Sequence, residues 1–314
     1  MHRFARSLLA VTTLLGAFEV GAEEPASEPL RRALGEHVFI PRIEVYNPFT
    51  TSDVATTSGF GYGTGGGPTF DLNGQPVNAA DYQIVAYSQS FSGQWGITDW
   101  WAVRLLVNGT LYTGANGSAI AGIGVNGVVR GGAGTTFSWH VVPTLRLGLL
   151  VDVSFGPSIG INILDAIRNS IADGSVQTPV QSSSSTVITP TLSAAWSFAR
   201  GWGLLANVSY SHSTITANNE DDVGADQLQL QGAIDLDLKE LGSIPMGFGL
   251  NFSSSYSMGD EKFRRYVYGL GIFYTGRKEL TLGLEVALRR APLGTHDVFL
   301  KSYYALLSLR YSFN

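Results

Sequence analysis

From Tyr82 onward, apolar residues return at every second position, run after run. Leu145, Leu147, Leu149, Val151, Val153 and Phe155 alternate with Arg146, Gly148, Asp152 and Ser154, and Met246, Phe248, Leu250 and Phe252 alternate with Gly247, Gly249, Asn251 and Ser253. The chain finishes in the same way: Tyr303, Ala305, Leu307, Leu309, Tyr311 and Phe313 fall on one side, with Ser308, Arg310 and Ser312 on the other. A period of two puts each set on its own face of a β-strand. Eleven runs follow the pattern, near 82–95, 100–112, 120–139, 144–155, 186–198, 202–212, 227–238, 246–256, 264–274, 279–289 and 299–313. At a rise of ~3.3 Å per residue and a strong tilt, roughly ten residues cross an apolar band ~25 Å thick.

The connections alternate as well. Short ones (Gly96–Asp99, His140–Pro143, Ala199–Gly201, Lys239–Pro245, Thr275–Lys278) separate long polar ones (Thr113–Ser118, Gly156–Ser185, Ser213–Asp226, Ser257–Phe263, Arg290–Asp297). Short turns at one end and long loops at the other fit an outer-membrane barrel with its short turns in the periplasm. An even strand number with both termini in the periplasm requires one more strand before Tyr82, and Arg42–Phe60 is the stretch left to supply it. All six tryptophans (Trp95, Trp100, Trp101, Trp139, Trp196, Trp202) lie within a few residues of the short turns, where an interfacial girdle belongs. The predicted fold is all-β: a transmembrane up-and-down antiparallel barrel of about twelve strands, closed by the C-terminal strand on the first. One short helix, Leu164–Gly174, is expected in the longest outer loop, either as a constriction of the mouth or as a rim element.

Composition agrees with a surface hidden from water. Charged residues are 14 % of the chain, against about 25 % in soluble proteins, and 38 of 314 residues are glycine. A soluble β-sandwich, the rival fold, would need charged outer faces. The absence of cysteine excludes disulfides, thiolate metal sites and Cys nucleophiles, and a net charge of −5 without a basic block gives no footprint for nucleic acid. His2, Arg3 and Arg6, the apolar Ser7–Phe18 and the small residues Val20-Gly21-Ala22 read as a secretory signal peptide over residues 1–22. Residues 23–41, with a possible helix at Pro29–His37, are expected to form a periplasmic segment or a plug, and 42–314 the barrel. That address is the outer membrane of a Gram-negative bacterium.

Four motifs invite chemistry. Gly61, Gly63 and Gly66 form a G-x-G-x-x-G, but Pro68 and a run of turn residues follow, so a flexible outer loop is expected there. His212 with Ser213 and Thr214 raises an embedded lipid hydrolase; Ser213 points to the opposite face, and Thr214 stands where the nucleophile would be. Glu220, Asp221, Asp222 and Asp226 match no Ca²⁺ loop, and the scattered histidines offer no metal pair, so neither a metal nor a cofactor is expected. Strand phase points Arg104, Arg130, Arg146, Asp152, Asp235, Asp237, Glu285, Arg289 and Arg310 into the lumen, as paired ions filling it or as a charged lining that selects solutes.

Trp95–Val107, a strand joined to the next through Ile97-Thr98-Asp99, the Gly-rich Ala121–Gly132 and the helix-bearing loop resemble small twelve-stranded outer-membrane transporters of the aromatic meta-cleavage (phenol degradation) pathway. Where that family would carry a Gly-Asp step, this chain has Gly124-Val125. The resemblance implies passive passage of small molecules, hydrophobic ones included, and no enzymatic activity; the alternatives are the hydrolase centred on His212 and a structural or adhesion barrel with an occluded lumen. Expected partners are outer-membrane lipid and lipopolysaccharide, a small solute, and the barrel-assembly machinery through Tyr311 and Phe313.

Overall fold

The computed structural model describes residues 32–35, 37–42, 45–70, 76–161, 166, 170, 179–217, 223–242, 244–258, 264–292 and 299–313. A small hairpin, β1 (Ala33–Leu34) and β2 (His37–Val38), precedes the long strands. These are β3 (Ser52–Phe70), β4 (Pro76–Gly96), β5 (Trp101–Gly114), β6 (Val125–Val142), β7 (Leu145–Ile161), β8 (Val180–Ala199), β9 (Trp202–Ala217), β10 (Val223–Asp237), β11 (Met246–Ser257), β12 (Arg264–Tyr274), β13 (Leu280–Pro292) and β14 (Phe299–Phe313). Each pairs antiparallel with its sequence neighbours, and β14 closes on β3 from Lys301↔Thr64 to Phe313↔Ser52. The expected twelve-stranded barrel is therefore the fold, and no edge is left unpaired. No described helix is long and apolar enough to cross a membrane, so crossing belongs to the strands.

The alternating residues divide as their period requires. Phe60, Leu192, Leu250, Leu284 and Leu307 lie exposed on the outer wall, Leu192 at 63 %. Their cross-face neighbours Gln231, Asn251, Ser253, Glu285 and Ser302 are buried inside. Apolar exposure on this scale requires lipid rather than water. Near the short turns, Trp100 stacks on Trp101 and Phe137, and Trp196, Phe198 and Trp202 form a second aromatic group.

The structure departs from the sequence reading in five places. The wall starts at Ser52, not near 42, so Arg42 and residues 45–51 lie inside the barrel. The glycine-rich stretch expected as a loop is the upper half of β3. Its outward positions Phe60 and Tyr62 are exposed, and its inward ones are glycine because β14 crowds them: a Cβ at Gly61 would meet the Tyr304 ring at 2.5 Å, and one at Gly59 would meet Leu306 at 2.6 Å. Alternation of Gly with aromatics is still alternation. Residues 117–123, partly assigned to a strand, form helix α1 (Gly117–Ile123), because the Asn116 side chain accepts from the Ala119 N–H at 2.9 Å and caps it. The expected helix at Pro29–His37 is replaced by the β1–β2 hairpin, whose turn uses Gly35 at φ 56°, a conformation that favours glycine. Finally, strands run past the apolar band, β4 to 21 residues through Pro76–Asp81 and β8 from Val180 through Ser182–Ser185, stretches that carry no alternating signal. Apart from Ala166 and Ser170, the expected loop helix at 164–174 lies outside the described residues, as do the signal peptide and Glu220–Asp222.

Candidate functional site in the barrel lumen

Side chains of a twelve-strand barrel do not fill its lumen, and here the chain's own N-terminal segment occupies part of it. Leu34, Phe39, Val45 and Phe49 pack with the wall residues Ala195, Leu205 and Ala233 into a buried apolar cluster. Phe39 lies between His37 (4.6 Å, edge-on) and Phe49 (5.2 Å). The segment has almost no internal ladder, so many of its backbone polar groups pair with the wall. Asp235 accepts from the Ile40 N–H at 2.7 Å and holds His37 Nε2 at 3.1 Å. Asn207 and Ser193 donate to the Tyr46 carbonyl, Ser138 to that of Pro48, and Gln94 to those of Phe49 and Thr51. Arg32 donates to Ser312 Oγ at 2.7 Å.

Wall glycines make room for this segment. A Cβ on Gly148 would meet Pro48 at 2.7 Å, and Cβ atoms on Gly203, Gly247 and Gly249 would strike His37, Ile40 and Arg42. Burial lowers the Arg32 pKa to about 10, with Arg310 adding to the effect and Asp53 opposing it. Burial also lowers that of Arg42, against Glu285 and Asp235. Arg42 faces the wall carboxylates Glu285 and Asp235, and Arg32 lies within the field of Asp53.

The nine residues assigned to the lumen by strand phase occupy several settings. Asp235 and Glu285 are buried against the N-terminal segment, Glu285 with Arg42 at 3.9 Å and Asn251 at 3.4 Å. Arg146 reaches the Asp99 carbonyl and Ser138, with its guanidinium 5.4 Å from the Phe49 ring. Arg104 pairs with Asp152 at 3.6 Å and lies 5.0 Å over Tyr46, and Arg310 pairs with Asp53 at 2.8 Å. Arg289 lies 5.0 Å over Tyr304, and Arg130 shares a face with its cross-strand partner Asn108. Asp237 instead sits at the rim, capping the short helix α2 (Leu238–Leu241) and accepting from Thr275 Oγ1 at 2.8 Å.

Sequence reasoning missed the partners: Arg32, His37, Arg42 and Asp53. One signal pointed to them. Asp235 is flanked across both ladders by Gly203 and Gly249, which is a carboxylate with space around it and no cation on its own wall.

Among the described residues, two cavities lie beside and above the segment. The lower one, about 300 Å³, runs along β3–β5, β13 and β14 and is lined by Arg42, Asp53, Ser90, Gln94, Arg104 and Arg310. The upper one, about 720 Å³, faces the long-loop end; Ile84, Tyr112, Val267, Leu306, Arg265 and Arg289 are among its walls. Both include Thr57, Ser90 and Asn108, so they meet at that level.

On the outer wall, His212 Nδ1 lies 2.7 Å from Asp226, which also accepts from the Tyr210 hydroxyl at 2.7 Å. An acid–histidine pair is one part of a hydrolytic triad. The Ser213 hydroxyl, however, donates to the Ala225 carbonyl, and the described hydrogen bonds of His212 do not include Thr214. Among the described residues no group of three or more His, Asp or Glu is placed to hold a metal.

No protein-family model and no curated protein matches the chain. Solved structures do. The translocator domain of the autotransporter NalP from Neisseria meningitidis aligns with 84 % of this chain and 89 % of its own, at TM-score 0.55 and 10 % identity. The β-domain of the Bordetella autotransporter BrkA aligns with 83 % of this chain and 100 % of its own, at TM-score 0.50 and 12 % identity. Closed wall, aromatic girdle and structural neighbours agree: the chain has the fold of an outer-membrane β-barrel.

Proposed function

We propose that this protein is an outer-membrane channel through which small molecules pass without energy input. The observation that carries this reading is the one-sided lumen. The apolar cluster and the glycine hollows that hold the N-terminal segment lie on β7–β11, with further polar anchors at Gln94 of β4, Glu285 of β13 and Ser312 of β14, whereas the two adjoining cavities follow β3–β5, β13 and β14 past it. A barrel built only as a scaffold or adhesin has no use for a hydroxyl-lined passage at Ser88, Ser90, Ser92 and Thr110. The mixed apolar and polar upper cavity suits small molecules with hydrophobic parts, in keeping with the resemblance to aromatic meta-cleavage transporters. In the cell the protein then sits in the outer membrane of a Gram-negative bacterium, in lipid and lipopolysaccharide, with Tyr311 and Phe313 presented to the assembly machinery. The reading is non-enzymatic: the His212–Asp226 pair has no described link to a nucleophile.

The chain has no cysteine, which makes a clean test possible. Ser90→Cys places one thiol where the cavities meet. A charged thiol reagent should then reduce single-channel current in a planar bilayer by more than half, and leave the wild type unchanged. Wild-type protein with neither step conductance nor solute flux into liposomes would remove the channel reading.

A further inference from the structure

The outer wall carries a polar patch that lipid does not explain. Val54, Phe60 and Tyr62 on β3 and Val85, Tyr87 and Phe91 on β4 are exposed, and Thr56, Ser58 and Gln89 share their phase and therefore their lipid-facing side. Gln89 lies six residues along β4 from Trp95 of the girdle. At a rise of ~3.3 Å and a tilt of about 40°, that is ~15 Å above it, inside an apolar band ~25 Å tall. On β8–β13 the outward positions of the band are apolar, among them Leu192, Val208, Leu230, Leu250, Leu270 and Leu284.

The polar side chains form one cluster. Gln89 Oε1 accepts from the Ser58 hydroxyl at 2.6 Å and from the Tyr87 hydroxyl at 2.9 Å, and the Gln89 amide donates to Thr56 Oγ1 at 2.8 Å. An amide has two N–H groups, and a hydroxyl has one donor and two acceptor sites. Among the described hydrogen bonds, the second Gln89 N–H and the Thr56 O–H are left over as donors, while the Ser58 and Tyr87 oxygens keep acceptor capacity. The cluster sits in mid-wall, at least five rungs from either end of the β4–β5 pairing. Gly109 lies directly across that ladder from Gln89, and a Cβ there would meet only the Val128 carbonyl at 4.0 Å, so a hollow opens beside the amide. Phe60, Phe91, Leu105, Val107 and Leu307 stand exposed around it.

Hydrocarbon chains offer neither donors nor acceptors, so unmatched polar groups cost free energy in lipid. A second copy of this chain in the same membrane holds the same cluster at the same depth. Its Ser58 and Tyr87 oxygens then meet the Gln89 and Thr56 donors, and about a two-fold axis along the membrane normal the exchange is reciprocal. Amide and hydroxyl side chains link membrane-embedded segments in this way.

We propose that the outer face of β3–β5 and β14 around Gln89 is a homodimer interface within the membrane, with the polar clusters of two copies hydrogen-bonded across the axis and the exposed rings and aliphatic side chains packed around them. The interface uses lipid-facing side chains, so it stands or falls independently of the channel reading.

The chain has no cysteine, so single thiols report contacts between copies of the full-length protein in liposomes. Gly109→Cys should give a dimer as the main product with a short thiol cross-linker. Leu230→Cys, six strands round the wall on β10, should give at least tenfold less at the same protein-to-lipid ratio. Adding Gln89→Leu to Gly109→Cys should lower the dimer yield at least fivefold. That change puts an apolar group on a lipid-facing wall, and the heat-dependent gel shift of the barrel checks that it still folds. Should the new thiol at position 109 itself block the contact, sedimentation of the cysteine-free chain in mild detergent decides: wild type should run as a dimer and Gln89→Leu as a monomer at the same concentration. Equal cross-linking at the two walls, a dimer indifferent to Gln89→Leu, or a wild type that sediments as a monomer would overturn the proposal. So would cross-links to a different protein in native outer membranes with none in liposomes of the pure chain.

Discussion

The two sides of the lumen are built from different small residues. On the β6–β11 side, inward glycines at 148, 203, 247 and 249 leave hollows, and Pro48, His37, Ile40 and Arg42 of the N-terminal segment occupy them. On the side of β3–β5, the corresponding inward positions carry Thr57, Ser88, Ser90, Asn108 and Thr110, and cavities remain. A glycine gives up its side-chain volume to whatever approaches, and here that is protein. A hydroxyl keeps a polar atom on the wall that water can satisfy without anything docking on it. Where glycine does occur on the open side, at 59 and 61, a neighbouring side chain from β14 already covers it. The difference sorts one wall for packing and leaves cavities along the other.

The largest test of that contrast is removal of residues 32–51. The wall ladder does not include them, so the barrel should still close, and single-channel conductance should rise several-fold as the packed side opens. Unchanged conductance would mean that the open side alone sets the current.

Next in size is Asp235→Ala. It removes the acceptor for the Ile40 N–H and the partner of His37, and leaves the cation of Arg42 with less compensation. Losing two buried hydrogen bonds to a charged group should cost about 2–4 kcal/mol of docking. Hydrogen exchange should speed up at the amides of 37–42 while the wall amides of β11–β13 keep their protection.

A smaller effect is expected from Gly148→Val, which drives a side chain into Pro48 and should cost about 1–3 kcal/mol, read as a lowered Tm. Gly66→Val is its control: nothing lies within 4 Å of a Cβ there, so Tm should stay within the scatter of repeat melts. Equal losses from the two substitutions would show that the barrel responds to strand glycines in general and not to the docked segment.

Much of the wall was legible in the chain. Strands β7, β11 and β14 announce themselves because alternation is local and lipid on one side enforces it along every residue of the apolar band. The upper half of β3 was hidden by glycines whose partners, Tyr304 and Leu306, lie more than 200 positions away in the chain. Helix α1 was hidden by its brevity, with one capping asparagine against a run of small residues that suits either state. Strand phase named candidate charges for the lumen, but it had no access to their partners. Asp53 meets Arg310, and Asp235 meets His37, only after the barrel has closed.

By itself, then, the sequence determined a membrane barrel, its approximate strand number and the end that carries the aromatic girdle. These follow from nearest-neighbour periodicity and from where amphipathic rings settle. Which side of the lumen is filled was decided by the tertiary structure alone. That choice depends on whether a segment without periodicity finds glycine hollows and a buried carboxylate on strands some 100 to 200 residues further along, and no local pattern encodes a fit of that kind.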